Sequence, residues 1–327
     1  MPNQTQRTLE ALAAKRILIL DGAMGTMVQR QKPQEADFRG ERFKNHGCEL
    51  KGNFDILCLS QPQLIADVHR SYLNAGADII GTNTFSGTSI AQADFACESL
   101  VYDINVAAAQ LARREADAAS DDNPDKPRFV AGAMGPTNRT LSLSPDVNDP
   151  GLRLVTFDEM RDAYAQQVSG LIDGGVDILL VETIFDTLNA KACLMAIEQE
   201  VARRGIVRPP LMISVTITDN SGRTLSGQTL EAFWRSVAHA KPMSVGINCA
   251  LGAEQMRPFF SELAAMAPVL TSCYPNAGLP NAFGEYDETP EITSRLLRQF
   301  AEAGFANFLG GCCGTQPPHI EALAAAV

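Results

Sequence analysis

Near the end of the chain, residues 310–315 read GGCCGT, two adjacent cysteines boxed in by glycines. Neighbouring residues on a regular strand point to opposite faces, so two side chains that work together need a different backbone there. Gly310, Gly311 and Gly314 supply that freedom, because glycine reaches dihedral angles other residues avoid. A convergent thiol pair suits a thiophilic metal, a redox dithiol or an inert turn. A third cysteine, Cys249 in GINCALG, separates these readings. Three thiolates with an open fourth position describe a catalytic zinc site, whereas a redox pair at Cys312 and Cys313 has no need of Cys249. Cys273 is the rival for a ligand place, while Cys48, Cys58, Cys97 and Cys193 are assigned to packing or the surface.

Other polar residues follow apolar runs in the same way. Asp21 opens DGAMGT, a tight turn whose backbone amides at Gly22, Ala23, Gly25 and Thr26 can also cradle an anionic group such as a carboxylate. Glu182 follows VDILLV, and a carboxylate at the end of a buried strand needs a positive partner or several donors. An amine substrate is such a partner. Asn83 and Asn248 are weaker candidates, since asparagines at strand ends often tie down loops. A thiophilic metal, an amide nest and two acids together suit a zwitterionic amino acid that carries a thiol.

The elements that position these residues repeat. Eight short runs rich in Ile, Val and Leu recur: RILIL, ADIIG, RFVAG, VDILLV, LMISV, MSVGI, PVLTS and FANFL. Such continuous apolar runs fit parallel strands covered on both faces. Between them lie helical stretches, for instance QPQLIADVHRSYLNAGAD and FDEMRDAYAQQVSGLIDGGVD, the second with Asp158 placed to cap it and Gly174-Gly175 to end it. Strand–helix repetition eight times over predicts a (β/α)8 barrel, with its active site at the C-terminal ends of the strands. Residues 32–55 are an insertion between the first and second strands, expected over the top of the barrel, and residues 1–14 are an N-terminal extension of a single domain spanning 1–327.

Composition narrows the class of protein. With 27 basic and 38 acidic residues the formal charge is −11, which argues against phosphate-mediated nucleic-acid binding and against docking on an anionic membrane. No apolar window reaches the length of a membrane span, and the first 20 residues lack the pattern of a secretory signal. Eight irregularly spaced cysteines do not form a secreted disulfide framework, so a reducing cytoplasm is the expected location.

The segments LDGAMGTMVQ, ADIIGTNTF, GAMGPTNRTLSLSPDV, LLVETIFDTLNAKA, GINCALGA, YPNAGLPNAFGEYDETPE and GGCCGTQPPHI carry a resemblance. From about residue 15 to the last residue, the chain resembles the homocysteine-binding barrel of cobalamin-dependent methionine synthase, within the homocysteine S-methyltransferase family. The resemblance implies that Cys249, Cys312 and Cys313 hold zinc, with Asn276 a candidate fourth ligand when no substrate is bound. It implies that Asp21 and Glu182 hold the substrate amine and that amides between Gly22 and Thr26 orient the amino acid, with Asn83 and Asn248 nearby. The implied reaction is methylation of homocysteine to methionine from methylcobalamin, which a separate domain or partner chain would carry along with folate. Relatives that use betaine or S-methylmethionine share several motifs but lack similarity through SGRTLSGQTLEAFW and PNAFGEYDETPE. A betaine or S-methylmethionine enzyme, or a module that presents homocysteine to a partner, are the alternatives. One position departs from the family: Gly81 stands where an acidic residue usually precedes TNTF.

Overall fold

The computed structural model describes residues 2–218 and 221–327. Eight strands, β1 (Leu18–Ile19), β2 (Ile79–Gly81), β3 (Phe129–Met134), β4 (Ile178–Ile184), β5 (Leu211–Val215), β6 (Ser244–Gly252), β7 (Leu270–Asn276) and β8 (Phe308–Leu309), alternate with helices. All pair in parallel with their neighbours, in the order β1-β8-β7-β6-β5-β4-β3-β2. A single bridge between Leu20 and Ile79, with the Asp21 amide donating to the Ile79 carbonyl at 3.0 Å, closes β1 onto β2. The (β/α)8 barrel expected from the eight apolar runs is present.

Strand alternation sorts side chains into two cores. Leu18, Leu20, Ile79, Phe129, Ala131, Ile178, Leu180, Met212 and Tyr274 fill the barrel. Ile19, Ile80, Val130, Leu179, Val181, Ile213 and Val245 face the surrounding helices. Because both faces are covered, the strands read as continuous apolar runs rather than alternating ones.

The helices follow their sequence signals with one correction. Pro62–Asn74 starts on a proline and ends just before Ala75-Gly76. Phe157–Asp173 is capped by Thr156, not Asp158: the Thr156 hydroxyl accepts the Glu159 amide at 3.2 Å, and the Glu159 carboxylate accepts the Thr156 amide at 2.7 Å. Asp158 sits in the first turn, where its charge complements the helix dipole and pairs with Arg161.

The N-terminal extension is part of the barrel's structure. Its helix Gln4–Ala13 buries Leu9 and Ala13 against the interior cluster containing Leu18, Phe129, Ile178, Met212 and Met243, closing the end opposite the site. Leu9→Ala should cost about 2–5 kcal/mol, the range for a fully buried leucine, measured by urea unfolding. The insertion also differs from expectation. Phe38, Phe43 and Leu50 pack beside Leu57, Ile65, Ile104 and Ala108 on the flank of the barrel, forming a third core, while Lys32 and the stretch from Gly52 to Asp55 line the mouth. A segment with this many aromatic and aliphatic residues finds more apolar surface against the outer helices than across a polar opening. Among the described residues no helix is long and apolar enough to cross a membrane.

Candidate active site

A cavity of about 1010 Å³ opens at the C-terminal ends of the strands, lined by residues that include Asp21, Glu182, Cys249, Cys312 and Cys313. The Sγ atoms of the three cysteines all lie within 4.8 Å of one another. Cys249 and Cys313 are 3.8 Å apart, the edge of a tetrahedron with metal–sulfur bonds of about 2.3 Å. Hydrogen bonds from Cys249 and Cys312 make Cys313 the most acidic of the three thiols, held well below the ordinary range, while the Cys312 thiol is pushed up by its bond to Cys249. One thiolate is thus held by two neighbouring thiols, and a divalent cation in place of their protons would favour ionisation of all three. The spacing and the soft donors fit zinc. Asn276 at the end of β7 adds a further feature: its Oδ1 is buried without a hydrogen-bond partner, and the flanking Pro275 carbonyl and Ala277 amide bond to Cys312 and Cys313.

The convergence is achieved differently from expectation. Only Gly314 takes a left-handed conformation, at φ +82°; a Cβ there would sit 2.3 Å from that of Tyr286. Gly310 and Gly311 are required by crowding against Leu20 and Thr315 instead. The larger contribution comes from Cys249 itself, at φ +62°, followed by Ala250 at +63°. Cys273 is excluded by parity. It alternates with the inward Tyr274, is fully buried, and packs 3.8 Å from the Met256 sulfur on the helix side. Cys58, Cys97 and Cys193 are likewise buried outside the cluster, and Cys48 is exposed.

The two turns that carry the chemistry are tied together. The Tyr72 hydroxyl lies 3.2 Å from the carbonyls of both Ala23 and Thr315, and the Thr315 hydroxyl donates to the Cys312 carbonyl at 2.7 Å while accepting the Ala23 amide at 3.2 Å. Gly22 permits this, since a Cβ would fall 2.7 Å from the Tyr72 ring. Tyr72→Phe should lower stability by about 1–3 kcal/mol, the cost of buried acceptors losing their donor, and should speed zinc loss to a chelator, followed with a chromogenic dye.

Asp21 and Glu182 line the cavity wall and are half-buried. Desolvation, with a smaller push from the nearby Glu182, raises Asp21 to about 8 against the opposing Gly81 amide at 2.8 Å. Desolvation likewise raises Glu182 to about 7, with the Tyr274 hydroxyl donating to it at 3.3 Å. Among the described residues neither is in an ion pair. A cationic ligand is what both carboxylates lack. Gly81 bears on this directly: a Cβ there would begin 3.8 Å from Asp21 Oδ1, so an acidic residue would add a further negative charge beside Asp21. Gly81 adds no such charge, and its backbone amide donates to Asp21.

The remaining predicted residues divide. Gly22, Ala23, Gly25 and Thr26 line the cavity, with the helix Met24–Arg30 starting among them. Its first amides have no partner within the helix. Asn83 lines the cavity, but its side-chain amide donates to the Phe54 carbonyl at 2.7 Å and to Cys58. Asn248 is fully buried and bonded to Thr183 and Ser214, not to open space. Among the lining residues that were not anticipated are Asp55, Tyr274 and Tyr286. Asp55 accepts the Ser86 amide at 3.0 Å and is raised to about 7 by burial. Tyr274 and Tyr286 contact Glu182 and Cys313. Parity along β7 could have found Tyr274; Asp55 and Tyr286 lie on irregular segments with no periodic signal.

A closed parallel barrel with a thiol cluster and unpaired acids at its C-terminal mouth defines a (β/α)8 enzyme acting on a small substrate. The chain belongs to the homocysteine S-methyltransferase family, whose model matches residues 18–327; it is a methyltransferase. Solved structures share the fold. The metallated form of the homocysteine methyltransferase MmuM from Escherichia coli matches with a TM-score of 0.75 and 24% identity over 98% of this chain and 99% of that one. The oxidized form of the same protein matches with a TM-score of 0.76 and 23% identity over 99% and 100%.

Proposed function

We propose that the protein binds homocysteine at this cavity, with its sulfur at Cys249, Cys312 and Cys313 and its ammonium at Asp21 and Glu182, and methylates it to methionine. The observation that carries this is the juxtaposition of three sulfurs within 4.8 Å with two acids lining one cavity and lacking cations. The three cysteines are the residues that would hold zinc. Zinc coordination supplies the ionisation that a thiol, with an ordinary pKa near 8.5, largely lacks at neutral pH. Asp21 and Glu182 orient the amino acid, Tyr274 steadies Glu182, and the first amides of Met24–Arg30 receive the substrate carboxylate. Asn276 can serve the metal when substrate is absent.

The donor proposed is methylcobalamin, carried by a cobalamin-binding domain or partner chain and replenished through a folate-binding one. Two rim segments support this reading. SGRTLSGQTLEAFW and PNAFGEYDETPE, which set the chain apart from betaine and S-methylmethionine enzymes, follow β5 and β7, and Gly284, Glu285, Tyr286 and Asp287 of the second line the cavity. The test is incubation of zinc-loaded protein and homocysteine with methylcobalamin, betaine or S-methylmethionine, with methionine quantified. Product from methylcobalamin alone is expected. Turnover with betaine or S-methylmethionine overturns the donor assignment. Homocysteine binding without product from any donor overturns catalysis by this chain in favour of a presenting module.

A further inference from the structure

The backbone after Glu182 is unusual. Thr183 has φ +56°, a left-handed conformation that is a genuine outlier for a β-branched residue. The pairing of β4 with β5 shifts register between Val181 and Ile184 around it. A second irregularity lies on β6, whose pairing with β7 shifts between Asn248 and Gly252, where Cys249 and Ala250 are left-handed. One side chain spans both. Asn248 Nδ2 donates to Thr183 Oγ1 at 2.8 Å, and its Oδ1 accepts the Thr183 amide at 3.0 Å and the Ser214 hydroxyl. Asn248 is 0% exposed, so these bonds form away from competing water and are costly to lose.

The clamp grips the residue after the amine-binding candidate and stands directly before a sulfur ligand. Alternation through Ile178 and Leu180 already turns Glu182 inward; the left-handed Thr183 changes the path after it, returning Ile184 to the helix side, and the bonds from Asn248 hold that irregular end of β4 in place. We infer that Asn248 is a positioning residue: by holding Thr183 left-handed it fixes the end of β4 that carries Glu182 and ties its position to that of Cys249. This inference rests on the reading of Glu182 as the homocysteine amine site.

Homocysteine binding to the zinc-loaded full chain, measured by calorimetry, tests it. Asn248→Ala should weaken binding at least 10-fold. Adding Thr183→Gly, which makes the left-handed conformation inexpensive, should recover at least 5-fold of that loss. A role in overall stability alone predicts no such rescue, and thermal unfolding measured in parallel identifies a variant that fails to fold. Thr183→Val covers that case: it keeps the β-branched strain, removes the Oγ1 partner and should weaken binding about 5-fold. Unchanged binding in Asn248→Ala or Thr183→Val, or a double variant no better than Asn248→Ala, overturns the inference. A wild-type chain that binds no homocysteine overturns the underlying functional reading instead.

Discussion

Cys312→Ala is expected to strip zinc from the protein and to reduce methionine formation at least 100-fold. Even groups that only support metal ligands cost about 10–100-fold in affinity or activity when removed, and a ligand itself costs no less. Cys312 has no substitute at hand. Its Sγ belongs to the cluster within 4.8 Å, while Cys273, the cysteine nearest in strand order, faces the helices beside Met256. Cys249→Ala and Cys313→Ala should behave alike, whereas Cys273→Ala should keep its zinc and lose only packing energy. Metal analysis of the purified variants, about one zinc per chain against almost none, separates the two outcomes. Full zinc in Cys249→Ala would remove the three-thiolate assignment and return the Cys312–Cys313 pair to a redox or structural role.

The second large effect concerns charge. Glu182→Gln should weaken homocysteine binding by about 10–100-fold, since a hydrogen bond to a charged group contributes about 1.5–3 kcal/mol. Zinc content should not change. The same carboxylates set a pH dependence with a definite sign. Burial raises Glu182 to about 7 and Asp21 to about 8, so near neutrality a fraction of each is protonated. Holding an ammonium requires the ionised forms. Binding should therefore tighten between about pH 6 and pH 8 and release protons, detectable as calorimetric enthalpies that differ between buffers of unequal ionisation enthalpy. Stability runs the other way. A folded pKa above the unfolded one is a contribution fully present below about pH 4 and lost as pH rises through 7 to 8. Glu182→Gln should thus be more stable than the wild type at pH 8 in the absence of substrate, by on the order of 2–3 kcal/mol. Equal stability at that pH would show that Glu182 is not desolvated as described.

These two sites differ in how far they could be read from the chain. The apolar runs predicted eight strands, and the structure has them because Val, Ile and Leu at consecutive positions satisfy both the barrel interior and the helix-facing layer. The residues just after those runs were found for the same reason: a polar group at the end of a buried strand stands out against its surroundings, as Asp21 and Glu182 do. Inward parity would also have excluded Cys273 and included Tyr274. Asp55, by contrast, lies on a short stretch of the insertion that lines the mouth, and no local pattern distinguishes it from the residues packed on the flank. The N-terminal helix likewise reads as an extension until Leu9 is seen against the barrel floor.

The sequence alone thus determined the strand–helix order and the chemical types at the mouth, because burial selects residue types locally. Tertiary structure decided which of them meet. On β6, inward positions alternate through Gly246 and Asn248, so a regular strand would have turned Cys249 toward the helices; left-handed angles at Cys249 and Ala250 bring it to Cys312 and Cys313 instead. Neither is a glycine, and no local preference favours that conformation. It is held by contacts from other strands, which only the folded chain assembles.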